Sequence, residues 1–352
     1  MNAPRLALLA GLTLSAPLWA ADTTDSERTD AEHTGPLPEL QRIPRTDRDC
    51  LERAAATAAD DTPARALRDW CNPPGSTGSY TPAHDALRSR LALEERTQFN
   101  PFVLTPHRRN YLMPFSNWTN RSWKDPARDP DSLQPHEVKF QVSLKTPLVD
   151  DALGDNYTLY GAFTMTSWWQ AYNEDVSRPF RESNYAPSVF LSRPLGGGAG
   201  RVESEMLSAG FVHESNGQPE PTSRGWNRIF ASYVFRTGSY YWHFKPWYRI
   251  PEEKKDFPLD PDGDSNPDIT DYMGNFELTL SRPFNNHVVD LMVRHNLDQH
   301  EDRGAAQLDY SFPVNERFKG IFQVFTGYGD SLIHYNEYVT RVSVGILLTD
   351  ML

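Results

Sequence analysis

His213, Ser215 and Asn227 are the side chains whose types and spacing suggest chemistry. The first two stand two apart in GFVHESNGQPEPTSRGWNRIF, residues 210–230. Residues two apart in an extended strand share a face, so the pair lies with Leu207, Ala209 and Phe211 on an otherwise apolar surface. A serine hydroxyl becomes a nucleophile when a base takes its proton. An imidazole serves as that base when a third group holds its tautomer and aims its ring. The next strand begins at Trp226 and offers two faces. Asn227, Ile229, Ala231, Tyr233 and Phe235 form one, and Arg228, Ser232 and Arg236 fall on the other. An Arg facing mid-bilayer lipid costs about 2–4 kcal/mol, so in a membrane wall the odd face looks out and Asn227 joins His213 and Ser215. An amide carbonyl can be the third group, as in Cys-His-Asn proteases, and it keeps a carboxylate away from lipid. The expected chemistry is acyl transfer, with Ser215 as nucleophile, His213 as general base and Asn227 orienting the ring. The competing reading is a polar rim where strands leave the bilayer. HESNG lacks the second histidine of HExxH, so zinc-protease chemistry is not supported.

The elements that must position these residues are strands. From about Asn100 the chain alternates apolar and polar residues over twelve segments: 109–118, 137–145, 157–169, 185–192, 202–214, 226–237, 240–250, 272–282, 287–297, 305–313, 318–327 and 341–349. The connectors alternate in length. Those at Gly238 and at Asn285 and Asn286 are tight, whereas 251–271 and 328–340 are long. An even strand count and short turns alternating with long loops are the habit of outer-membrane barrels. The last segment sets Val342, Val344, Ile346 and Leu348 against Arg341, Ser343 and Gly345. The expected fold is therefore all-β, a 12-stranded antiparallel transmembrane β-barrel over residues 98–352. The alternative is a soluble β-sandwich, which does not require that alternation of connectors.

Bulk properties agree. Beyond the N-terminus no stretch of eighteen apolar residues occurs, and the mean hydropathy is −0.61, which excludes a helical membrane protein. A barrel wall contributes only one face of each strand to lipid, so its average hydropathy looks soluble. Aromatic residues at 12% suit girdles at both interfaces. A net charge of −12 argues against nucleic acid. The opening MNAPRLALLAGLTLSAPLWA has a basic Arg5, a broken apolar run from Leu6 to Leu14 and a small-residue end at Ala20. It reads as a secretory signal over residues 1–20, with Leu18 at the −3 position. An uncleaved anchor is the other reading, but the run is too short to span a bilayer. Residues 21–97 read as a periplasmic extension, with a disordered entry followed by short helices. Cys50 and Cys71 are the only cysteines. In an exported chain a single disulfide between them is expected, closing a loop of roughly 20 residues and contributing about 3 kcal/mol if unstrained. Two free thiols are the alternative.

HxSNG followed by PTSRxWNR resembles the outer-membrane phospholipase A family. SWWQ (167–170), PFRESNY (179–185), KPWY (245–248), NPDITDYMG (266–274) and YGDSLIHYN (328–336) extend the resemblance over residues 98–352. It implies a twelve-stranded barrel that cleaves acyl esters of phospholipids and lysophospholipids, with A1, A2 and lysophospholipase activities, calcium dependence and activation as a homodimer. It assigns Ser215, His213 and Asn227 the roles deduced above. An oxyanion donor is expected among the backbone N–H groups of Ser215 to Gly217, with Gly217 favoured. Calcium is expected at Ser223 and the Gln218 backbone carbonyl, and at Ser177 offered by the partner subunit. Gln218 stands where the family usually has Arg, and Met165 where it buries a polar residue at the dimer face. A passive porin or binding barrel is the rival function.

Weaker signals remain. DPDGDSNPD (260–268) alternates acidic residues but lacks the closing ligand of an EF-hand loop. It reads as an acidic external loop, with loose calcium binding as the other reading. His243, His287, His295 and His334 have no second base or ligand at useful spacing and are expected in the lumen or at an interface. Trp168 and Trp169 are expected to anchor at a membrane interface, with a Trp pair that binds substrate as the other reading.

Overall fold

A computed structural model describes residues 104–119, 133–154, 156–196, 198–199, 201–257, 259–298, 300–315 and 318–351, together with Ala56, Leu87, Arg90 and Glu94. The expected signal segment and the Cys50–Cys71 pair lie outside the described residues. The chain divides into Met1–Thr77 and Gly78–Leu352. In the first unit only Ala56 is described, in helical conformation.

The second unit is built on twelve long strands: β1 (Asn110–Trp118), β2 (His136–Val149), β3 (Thr158–Trp169), β4 (Phe180–Pro194), β5 (Val202–Ser215), β6 (Gly225–Thr237), β7 (Tyr240–Ile250), β8 (Phe276–Phe284), β9 (His287–His295), β10 (Gly304–Pro313), β11 (Lys319–Gly327) and β12 (Val339–Thr349). Each pairs antiparallel with its neighbours in sequence, and β12 pairs with β1, which closes the barrel. Closure gives every strand two partners and leaves no long edge, as hydrocarbon demands. Gly238 and Asn285 supply the positive φ that the tight turns β6–β7 and β8–β9 use.

Side chains sort by parity. Val342, Val344, Ile346 and Leu348 face outward and are exposed, whereas Arg341 and Ser343 are buried in the bore. The bore is held by ions. Arg341 Nη1 donates to Glu137 at 2.6 Å, and its Nη2 donates to Asp330 at 2.6 Å. Arg181 donates to the same Glu137 at 3.0 Å. Towards the other end Arg109 bridges Asp290, Asp309 and Asp350. Between these clusters lies a cavity of about 460 Å3 lined by His243, Lys245, Glu277 and Arg294 among others. Near the chain-terminal end Arg90 donates to the carbonyls of Pro106 at 2.9 Å and Met351 at 3.1 Å, and Glu94 pairs with Lys145 at 2.8 Å. Two residues of the expected periplasmic extension, Arg90 and Glu94, are thus bonded to the barrel end of the chain.

Several expectations are corrected. Tyr272 was expected to open a strand, yet it lies in a short helix, α1 (Ile269–Met273), and β8 starts at Phe276. Ile269 and Met273 are buried one turn apart, and Gly274 ends the turn at φ 68, so packing overrides the β-leaning composition. β4 begins at Phe180 rather than 185, and β2 runs on to Val149. Beyond the expected end at 145 the pairing continues through Pro147, with a register shift between Pro147 and Val149, the irregularity at which a strand tolerates proline. Trp168 is not an interfacial anchor. It is 2% exposed inside the bore, with Lys139 and Arg181 over its ring. Trp169 faces out and stacks on Phe180. Neighbours in a strand point to opposite faces, so the two could not share one role.

Removing one partner of a buried ion pair strands the other charge and typically costs 3–5 kcal/mol. Glu137→Ala leaves Arg181 and Arg341 short of a shared carboxylate. It is expected to destabilise the barrel by about that amount, measured by urea titration of the heat-modifiable gel band in detergent.

Candidate active site

β5 and β6 are in register so that His213 pairs with Asn227, Ser215 with Gly225 and Phe211 with Ile229. Phe211 and Ile229 are exposed on the outer wall, so parity puts the three polar side chains on that wall, at the end of the hairpin joined by residues 216–224. His213 Nδ1 lies 2.9 Å from Asn227 Oδ1, and His213 Nε2 lies 3.0 Å from Ser215 Oγ. The imidazole therefore bridges the amide oxygen and the hydroxyl.

The inward residues pin this hairpin. Trp226 Nε1 donates to Glu214 at 3.1 Å, Arg228 also donates to Glu214, and the Arg228 guanidinium lies 3.8 Å over the Trp226 ring. Gly225 leaves space beside Ser215. A Cβ there would stand 3.2 Å from Ser215 Cβ.

The loop over residues 216–224 is built around buried Asn216. Its Nδ2 donates to Thr222 O at 2.8 Å, and its Oδ1 accepts from Arg224 N at 2.9 Å and Gln218 N at 3.3 Å. Gly217 adopts φ 64, the left-handed region glycine favours, and its N–H donates to no acceptor among the described residues. Gln218 and Ser223 sit on this loop. Ser177 sits on another, 170–179, where it is exposed and bonds Glu174 rather than the hairpin.

A third loop, 251–275, is fastened to the site. Asn266 Oδ1 accepts from Gly225 N at 2.9 Å, and Asn227 Nδ2 donates to Glu252 Oε1 at 2.9 Å. Lys255 and Ser265 both donate to Glu220. Partial burial pushes the Glu220 carboxyl up, but those bonds and the Lys255 charge outweigh it and hold it below its ordinary value of 4.5. Within the acidic run, Asp264 pairs with Arg249 at 2.6 Å and Asp268 accepts from Tyr335. Among the described residues no three His, Cys, Asp or Glu side chains form a metal-binding group. The four histidines set aside in the sequence are absorbed locally: His243 bonds Ser232, His287 stacks on Phe284 and Tyr310, His295 pairs with Asp302, and His334 is buried against Arg181.

Asn216, Gly225, Glu252 and Asn266 are site residues that sequence reasoning missed. Asn216 stands in the SNG turn, Gly225 within PTSRxWNR and Asn266 at the head of NPDITDYMG, but none of these motifs gave its residue a role at the site. Glu252 and Asn266 come from a distant loop with no motif that points to residues 213–227.

A closed antiparallel barrel with an apolar wall and an ionic bore defines an outer-membrane β-barrel protein, here with a hydroxyl–imidazole–amide row on its wall. A sequence model of the phospholipase A1 family matches residues 87–348. Phospholipase A1 of Klebsiella pneumoniae is 36% identical over 255 residues, covering 72% of this chain and 84% of that protein. That of Escherichia coli K12 is 35% identical over 263 residues, covering 72% and 83%. Among solved structures, an active-site mutant of outer membrane phospholipase A from Escherichia coli superimposes with a TM-score of 0.68 at 34% identity, covering 76% of this chain and 100% of that one. The outer membrane phospholipase dimer of Salmonella typhi with bound calcium gives 0.65 at 35% identity, covering 72% and 94%.

The chain belongs to the phospholipase A1 family. It is a phospholipase of the bacterial outer membrane, and the reading as a passive porin is set aside.

Two outcomes are expected. Gly225→Val crowds Ser215, and misplacement of this kind costs up to roughly a hundredfold. Hydrolysis is expected to fall roughly ten- to a hundredfold while the folded gel band persists. The second concerns pH. A carboxyl held low contributes its stabilisation in full above its ordinary value of 4.5 and loses it as pH falls through the lower folded value. Acidification through that window is expected to release the Glu220–Lys255 clasp. Faster hydrogen exchange in residues 251–265 would report it, and exchange indifferent to pH, after correction for intrinsic rates, would refute it.

Proposed function

We propose that this phospholipase cleaves acyl esters with a Ser215–His213–Asn227 triad on the lipid-facing wall, uses calcium, and is active as a homodimer. The observation that carries the reading is the His213 ring bonded at once to Asn227 and Ser215 on the outer face. There a lipid reaches the hydroxyl without leaving the membrane. That an Escherichia coli relative has been solved as an active-site mutant, and a Salmonella typhi relative as a dimer with bound calcium, supports it.

Asn227 Oδ1 accepts from Nδ1–H, which leaves Nε2 free to take the Ser215 proton. Ser215 Oγ attacks the ester carbonyl, and the Gly217 N–H is free to meet the developing oxyanion. A donor so placed is typically worth about 3–4 kcal/mol. The imidazolium returns its proton to the departing alcohol of the lysophospholipid. Water, deprotonated by His213, then releases the fatty acid from Ser215. Substrates include phospholipids and lysophospholipids, with attack at either acyl position.

The donors for a cation are neutral oxygens, the Gln218 carbonyl and the Ser223 hydroxyl, completed by Ser177 of a second copy. Calcium accepts such hard ligands, and a site poor in carboxylates is weak unless two subunits share it. When bound, the ion supplies positive charge beside the ester.

Ser215→Ala and His213→Ala are each expected to lower hydrolysis at least about a thousandfold, and Asn227→Ala roughly tenfold or more. A sulfonyl fluoride should label Ser215, chelation should abolish turnover, and a chain held monomeric should be nearly idle. Full hydrolysis by Ser215→Ala would refute the triad. Full turnover by the monomer in chelator would refute the shared cation.

A further inference from the structure

We infer that Glu252 is a positioning residue for the reaction, because it sets which way the Asn227 amide faces and thereby which nitrogen of His213 carries the proton. This deepens the triad reading above and rests on it.

An ionised carboxylate only accepts hydrogen bonds, whereas a carboxamide has an accepting corner and a donating corner. Glu252 Oε1 lies 2.9 Å from Asn227 Nδ2, and Asn227 is the only hydrogen-bonding partner of that carboxylate among the described residues. The amide NH2 must face the carboxylate, so Oδ1 faces the imidazole, 2.9 Å from Nδ1. A neutral imidazole has one N–H. If Nδ1 meets an acceptor, the proton sits there, and the Nε2 lone pair points at Ser215 Oγ, 3.0 Å away. That is the basic arrangement.

With the amide turned over, the NH2 would face Nδ1. The proton would then move to Nε2, and the base would present a donor to the hydroxyl it must deprotonate. Against the ring alone an amide can bond in either sense. Against a carboxylate it bonds in one, and a bond to a charged group is among the stronger kind. The geometry of the chain makes this possible. Ile250 is the register partner of Asn227, and residues two apart share a face. Glu252 therefore arrives just past the strand end on the side Asn227 occupies. The carboxylate is half-buried just past the end of β7, at the loop end of the wall.

The test uses full-length enzyme in detergent micelles with calcium in excess, and kcat and KM are measured separately. Glu252→Ala is expected to lower kcat roughly tenfold and leave KM nearly unchanged. In an Asn227→Ala background the same change should cost nothing further. The decisive arm is Asn227→Asp, whose side chain accepts at both corners and needs no orienting partner. It should be poor with Glu252 present, because two carboxylates would meet, and should improve when combined with Glu252→Ala. A change that harms the enzyme with the natural amide and helps it with a carboxylate has no purely structural explanation. The folded gel band controls for misfolding in every variant.

Unchanged kcat in Glu252→Ala, alongside a real loss in Asn227→Ala, would overturn the inference and leave the triad standing. So would additive losses in the double variant. Unchanged kcat in Asn227→Ala would overturn the triad's third member, and the role of Glu252 with it.

Discussion

Hydrocarbon offers a peptide group no hydrogen-bond partner, and the rest of this structure follows from that. Each N–H and C=O within the bilayer must find another strand. Twelve long strands therefore pair in sequence order until β12 meets β1. Once the sheet closes, parity has only two meanings, lipid or bore. Arg181, Arg341 and Arg109 fall on the inner side and must be answered there. Glu137, Asp330, Asp290, Asp309 and Asp350 answer them. The ionic bore is the counterpart of the apolar wall.

The same rule makes the wall usable for chemistry. Most of its outward positions are apolar, including Phe211 and Ile229. His213, Ser215 and Asn227 break that pattern at the end of the β5–β6 hairpin. The sheet provides rigid spacing: a two-residue step sets His213 against Ser215, and a register pair sets it against Asn227. Loops supply what strands cannot. The loop over 216–224 gives the free Gly217 N–H and neutral oxygens, and the 251–275 loop brings Asn266 to Gly225 and Glu252 to Asn227.

Legibility followed the range of each interaction. The His213–Ser215 step and the outward run of β12 are nearest-neighbour facts, and alternation exposes them directly. Asn227 needed one more inference, that arginines avoid lipid, and the register bears out the shared face. Tyr272 misled because its β-leaning composition was outweighed by the helical burial of Ile269 and Met273. Trp168 and Trp169 looked like one interfacial feature, yet strand parity sends one into the bore.

By itself the sequence determined the barrel, the outward face of the His213–Ser215 hairpin and the family, because period-two patterning and contiguous motifs are local properties of a chain. Only the tertiary structure decided that Glu137 serves Arg181 and Arg341 together, and that Glu252 meets Asn227. Glu137 meets Arg341 only when the sheet closes, and Glu252 meets Asn227 only when the β6–β7 register is set and the chain turns over the rim past Ile250.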